Sequence, residues 1–194
     1  MAVDSHEFLD ARNRMQNFFA NEISKYVLPD IDRLTNEIRP DNQGLKGCTV
    51  PLAMMLFALI DLFGFLMRGD ERANKRDTKR NFEYLLSESS LFPEVYAANW
   101  EQILKLFRHG VMHQFFPKAS GIAKAGTDRS LVFEENSIPV LNVDILSRDM
   151  VRVIGQVEKD IVKGDDRELL VRMNSRLDSL AEDDYQDLDE LGGV

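Results

Sequence analysis

The chain has 194 residues, 44% of them hydrophobic and 29% charged, which excludes an intrinsically disordered polymer and fits one globular domain of ordinary size. Its 33 acidic side chains outnumber 24 basic ones, for a formal net charge of −9, so there is no global basic field of the kind that gathers nucleic acid without specificity. The single cysteine, Cys48, excludes an intramolecular disulfide and a zinc cluster of paired cysteines, and fits a reducing cytoplasm.

The N-terminal residues "MAVDSHEFLD" lack a basic start followed by an apolar run, so no secretory signal is expected. Phe8, Ala11, Met15, Phe18, Phe19, Ile23 and Tyr26 recur at helical spacing and predict a helix from about Ser5 to Tyr26. Pro29 is expected to break it, and Ile31, Leu34 and Ile38 mark a short second piece ended by Pro40. "PDNQGLKG" reads as a loop. Pro51, with Thr49 as cap, opens the most apolar stretch, "VPLAMMLFALIDLFGFLM", which carries one charge, Asp61. Its length touches the lower limit for a membrane span. A mid-helix carboxylate is costly in lipid, so the expectation is a helix buried at the centre of a bundle, without a membrane.

"RGDERANKRDTKR" is a polar connector, and Asp77 or Thr78 is placed to cap a short helix bearing Phe82, Leu85 and Leu86. After Pro93 a longer helix is expected, running to about Phe115; if it starts late, Asn99 and Gln102 are spaced as a capping box. Trp100, Ile103, Leu104, Phe107, Val111 and Phe115 are its buried face. "KASGIAKAGTDRS" reads as a mobile loop. "LVFEE" and "IPVLNVDIL" read as a small β-hairpin near residues 131–146, with Pro139 at an edge. Ser147 is then read as the N-cap of a helix with Met150, Val153, Ile154, Val157 and Ile161 inward, ended by Gly164. A last helix carries Leu169, Leu170, Met173, Leu177 and Leu180. The expected organisation is one all-α bundle domain over residues 1–182 with an inserted hairpin, and a disordered acidic tail over 183–194.

The chemistry concentrates in "LFRHGVMHQFFPK", which holds two of the three histidines. On a helix His109 and His113 lie about 40° apart, while Arg108 lies about 100° from His109 and about 140° from His113. Three readings compete. The histidines could simply pack at the end of a buried helix. They could form a metal half-site, since i,i+4 is ligand spacing; Gly110 stands where the zinc-protease motif has glutamate, and no third ligand can be named. They could act in acid–base chemistry on a phosphodiester, histidine moving the proton and arginine forking onto phosphate oxygens. From Gln102 to Thr127 there is no acidic residue, while Lys105, Arg108, Lys118 and Lys124 lie in that window, which favours the third reading. Gly110 inside a helix costs about 1 kcal/mol relative to alanine, and a close approach of backbone or ligand would account for it. "SGIAKAG" lacks the Gly-Lys-Ser/Thr ending of a phosphate loop.

"RHGVMH" resembles the signature of the HEPN superfamily, an arginine, a polar residue, three further residues and a histidine. Arg108, His109 and His113 match these positions. The resemblance implies a HEPN-like all-α bundle and a metal-independent endoribonuclease. It also implies a homodimer whose two motifs meet at one composite site, without a cofactor. It implies cleavage of RNA through the ribose 2′-hydroxyl, with His113 as general acid or base, Arg108 stabilising phosphoryl charge and His109 orienting or sharing the proton. Lys118 is the candidate for holding a flanking phosphate. The alternative within the family is a non-catalytic dimerisation or interaction module, with a partner such as a cognate antitoxin. Asp61 is left between two roles, a paired core carboxylate or a group reaching the motif, with Arg108 the candidate partner for either.

Overall fold

The apolar stripes meet around one buried helix in the computed structural model, which describes residues 5–37, 48–70, 77–114, 120–123, 131–132, 139–164 and 166–191. The expected loop at 40–47 and most of the connector at 71–76 lie outside the described residues, as do the end of "LVFEE" and Lys118. Of His113 and of the positions beyond Leu180 in the last helix, only the backbone is described.

Helix α1 covers residues 5–37 without interruption: Ser5–Asn17 is α-helical, Phe18–Val27 is π-helical, and Leu28–Asp32 and Arg33–Glu37 continue it. The expected break at Pro29 is therefore corrected. The Leu28 N–H reaches back five residues to the Ile23 carbonyl, and this wider turn relieves the clash that a proline ring makes in a regular α-turn. Met15, Phe19 and Ile23 are buried, but Tyr26, expected in the stripe, is exposed. The wider turns rotate it out of phase with the face that Phe8 and Ala11 start.

Helix α2 (Thr49–Met67) is the central element. Leu52, Leu56, Ile60, Phe63 and Leu66 are fully buried, and burial of each such side chain contributes roughly 2 kcal/mol. Among the described residues it is the one helix long and apolar enough to cross a membrane, yet 67% of its most apolar window is buried within the bundle. Cys48, not Thr49, occupies its N-cap position, and no side chain caps it.

Helix α3 covers residues 78–88, α-helical over Thr78–Glu83 and π-helical over Tyr84–Glu88. Asp77 caps it as expected, its Oδ1 accepting from the N–H of Lys79 at 3.0 Å and of Arg80 at 3.3 Å. The helix expected after Pro93 is divided into α4 (Glu94–Ala97) and α5, which covers residues 100–114. Asn99 makes no cap; its amide donates instead to the Val95 carbonyl.

Among the described residues the small sheet has three strands, β1 (Gly121–Ala123), β2 (Leu131–Val132) and β3 (Val140–Asn142), in the order β1-β3-β2. β2 and β3 form the expected antiparallel pair, while β1 runs parallel to β3 out of the segment read as a loop. Pairing across a sheet edge can convert so short and glycine-containing a stretch into a strand. Residues 143–145, expected in the strand, start helix α6, which covers residues 143–163. The cap is Asn142, whose Oδ1 accepts from the N–H of Asp144 and Ile145. Ser147, expected to cap, is buried one turn inside and donates to the Asp144 carbonyl at 2.9 Å. Helix α7 (Arg167–Leu191) packs on α1 and α2 and runs through most of the segment read as a disordered tail. The fold is thus all-α with a small inserted sheet.

Candidate active cleft at the junction of three helices

Asp61 is the one charge in the apolar run of α2, and it is 7% exposed. A buried carboxylate is costly unless hydrogen-bonded and paired. Its partners come from α3. Thr78 Oγ1 donates to Asp61 Oδ2 at 2.9 Å and Asn81 Nδ2 donates to Oδ1 at 2.6 Å. Residues three apart share a helix face, so the first turn of α3 presents both donors together.

The close packing of α2 and α3 has a local cause. A Cβ built on Gly64 would lie 2.2 Å from the Asn81 carbonyl oxygen. Only glycine lets the two backbones meet there. This contact, one turn along α2 from Asp61, brings Asn81 and Thr78 within reach of the carboxylate.

The third helix supplies the cation. In α5 the buried side chains Ile103, Leu104, Phe107 and Val111 face the core. Arg108 lies at their border, its side chain 16% exposed. Its Nη2 is 3.7 Å from Asp61 Oδ2 and 3.5 Å from Thr78 Oγ1. Its Nη1 is 3.4 Å from His109 Nδ1. A guanidinium N–H can only donate, so His109 Nδ1 would be the accepting atom in this contact. The π-helical turns over Ile103–Arg108 recur in α1, α3 and α6, so they are not particular to this site.

Asp61, Thr78 and Arg108 line a cleft of about 330 Å³ walled by Phe57, Ala58 and Met112. Met112 stands one turn after Arg108, on the same side of α5. Of the motif, Arg108 lines this cleft, and His109, its neighbour in sequence, contacts it. The backbone of His113 is on the same helix, but its side chain and all of Lys118 lie outside the described residues. Gly110 is buried. Lys105, counted toward a basic patch, donates to Glu101 at 3.0 Å, just before the acid-free window. That hydrogen bond and the ammonium charge hold the Glu101 carboxyl below its usual range. The patch is correspondingly weaker than the window suggests. Among the described residues no three His, Cys, Asp or Glu side chains converge as metal ligands.

Asp61 resolves both ways at once, since it is a paired core carboxylate and it reaches the motif. Thr78 and Asn81 were not legible as parts of this site. Thr78 had a sufficient local explanation near a helix cap, and Asn81 carried no signal beyond sharing its face. The available clue was Asp61 itself, which required donors from elsewhere. The chain matches no protein-family model, no curated protein and no solved structure.

Proposed function

We propose that the chain is a HEPN-type, metal-independent endoribonuclease that acts as a homodimer in the cytoplasm. The observation that carries this reading is the meeting of Arg108 and His109 beside a cleft, on the helix whose next turn bears His113. RNA would bind with its scissile phosphate near Arg108, which stabilises the phosphoryl oxygens as charge develops. His113 moves the proton of the attacking 2′-hydroxyl or of the leaving group, and His109 orients or shares that transfer. Lys118 holds a flanking phosphate. The angular offset of Arg108 and His113 on one helix is met by a second copy, which supplies the matching set across a two-fold axis. A toxin–antitoxin or defence role, with an antitoxin as protein partner, accords with such an activity.

The test is cleavage of single-stranded RNA in EDTA by the purified chain and by Arg108→Ala and His113→Ala. Each substitution is expected to lower the rate by about a hundredfold or more. Undiminished cutting by His113→Ala, or a strict requirement for added metal, would overturn the assignment.

One observation favours a second reading, a non-catalytic dimerisation or interaction module. Arg108 is largely withdrawn from solvent and ion-paired with Asp61, as a purely structural arginine would be. In that case RNA is untouched, and Arg108→Ala changes stability or dimerisation alone.

A further inference from the structure

We infer that Thr78 is a positioning residue for Arg108: its hydroxyl sits beside both the Asp61 carboxylate and the guanidinium, bridges them, and so holds the arginine off the acid. The inference rests on the ribonuclease reading above. Asp61 already has a neutral donor on each oxygen, Thr78 on Oδ2 and Asn81 on Oδ1. Arg108 Nη2 stays 3.7 Å from Oδ2, beyond a good charge-assisted hydrogen bond of about 2.8 Å. The carboxylate therefore attracts the guanidinium without being gripped by it.

The hydroxyl is placed to set this gap. Its one proton goes to Asp61, so toward Arg108 it offers lone pairs and accepts from Nη2. Donation to a carboxylate polarises the oxygen and strengthens it as an acceptor. Asp61, Thr78 and Arg108 thus form a graded chain across α2, α3 and α5. Without the hydroxyl, this bridge is lost, one acceptor position on Asp61 Oδ2 is vacated, and the guanidinium settles as a direct fork on Asp61. An arginine forked onto a carboxylate presents its paired N–H groups there and not to a phosphate.

The experiment compares Thr78→Val, which keeps the shape without the hydroxyl, with Thr78→Ser, which keeps the hydroxyl. Thr78 is half-buried and the cap is Asp77, so both variants are expected to fold; Thr78→Ala supplies a second hydroxyl-free variant should valine perturb the turn. Thr78→Val should lower kcat for single-stranded RNA by about 10- to 100-fold, with KM within about twofold, because most substrate binding is made elsewhere. Thr78→Ser should remain within about threefold of wild type in kcat, as rescue by a conserved hydroxyl. Nitrogen-15 spectra of the arginine side chains give a readout that needs no turnover. The Arg108 signals, identified by their loss in Arg108→Ala, should shift in Thr78→Val and stay in place in Thr78→Ser.

Cleavage by wild type with an unchanged kcat in Thr78→Val would overturn the positioning role and leave the ribonuclease reading standing. An equal fall in the serine variant would do the same. Absence of cleavage by wild type ends the ribonuclease reading, and the spectra then decide whether Thr78 sets the arginine. Unmoved Arg108 signals in Thr78→Val would end that claim as well.

Discussion

Two arginine junctions lie along helix α2, and they use their donors differently. At one, Arg108 of α5 meets side-chain groups, Asp61, Thr78 and His109, beside a cleft. At the other, about 9 Å further along the axis at 1.5 Å per residue, Arg172 and Arg176 of α7 meet main-chain carbonyls. Arg172 donates to the Met67 carbonyl at 2.9 Å, and Arg176 donates to the carbonyls of Phe65 and Asp70. The second junction satisfies carbonyls that a helix end leaves without intrahelical partners, and it places cations at the negative end of the helix dipole. Burial, then the neighbouring Arg68 and Arg172, push the Arg176 guanidinium below its ordinary value, a cost of tying the helices together there. The comparison separates an arginine used as a strut from one held at contact distances of 3.4–3.7 Å by polar side chains.

The largest effect is expected midway between the junctions. Gly64→Ala places a methyl group 2.2 Å from a main-chain oxygen of Asn81, which only a backbone shift relieves. It should destabilise the fold by about 3 kcal/mol, read as the shift in a urea unfolding curve. RNA cleavage should fall with it, since α3 carries Thr78 away from Asp61. A stable, active Gly64→Ala variant would refute the close approach of α2 and α3.

Arg176→Ala comes next. It leaves the Phe65 and Asp70 carbonyls unpaired by this side chain and should cost about 1–2 kcal/mol. RNA cleavage should change by less than about twofold, since Arg176 makes no contact with the cleft. Arg108→Ala should show the reverse pattern, with a large loss of cleavage and a smaller loss of stability, because Thr78 and Asn81 still satisfy Asp61. Matching profiles for the two variants would erase the distinction between strut and site.

The smallest effect is a pH dependence near the strut. Burial, partly offset by Arg172, raises the Tyr84 phenol above its ordinary value. The folded state therefore holds this proton more tightly than the unfolded state. The contribution is complete below the unfolded value of about 10 and is lost as pH rises through the folded value. Wild type should lose stability between pH 8 and pH 10.5, roughly half a unit beyond that unfolded value, and Tyr84→Phe should lose less. Urea midpoints at the two pH values measure the difference.

How much of this was legible varied with the range of the interactions. The stripe of α6 and the cap at Asp77 depend on residues within a turn or two, and both stand in the structure. Pro29 misled because a rule for regular α-turns was applied where the helix widens. Ser147 misled because Asn142, five residues earlier, makes the cap once β3 ends there. The strand β1 was unreadable because it exists only by pairing with β3, whose sequence lies well beyond it.

The amino-acid sequence by itself determined an all-α chain with one all-round apolar helix at its centre, and it offered Arg108, His109 and His113 as candidates for phosphodiester chemistry, an expectation that the proposed cleavage assays test. Periodicity and side-chain type are properties of short windows, so they survive without knowledge of the fold. Only the tertiary structure decided that Asp61, Thr78 and Asn81 stand beside Arg108. That arrangement follows from the absence of a side chain at Gly64, which lets two backbones touch, and from a buried carboxylate that draws donors and a cation from helices distant in the chain.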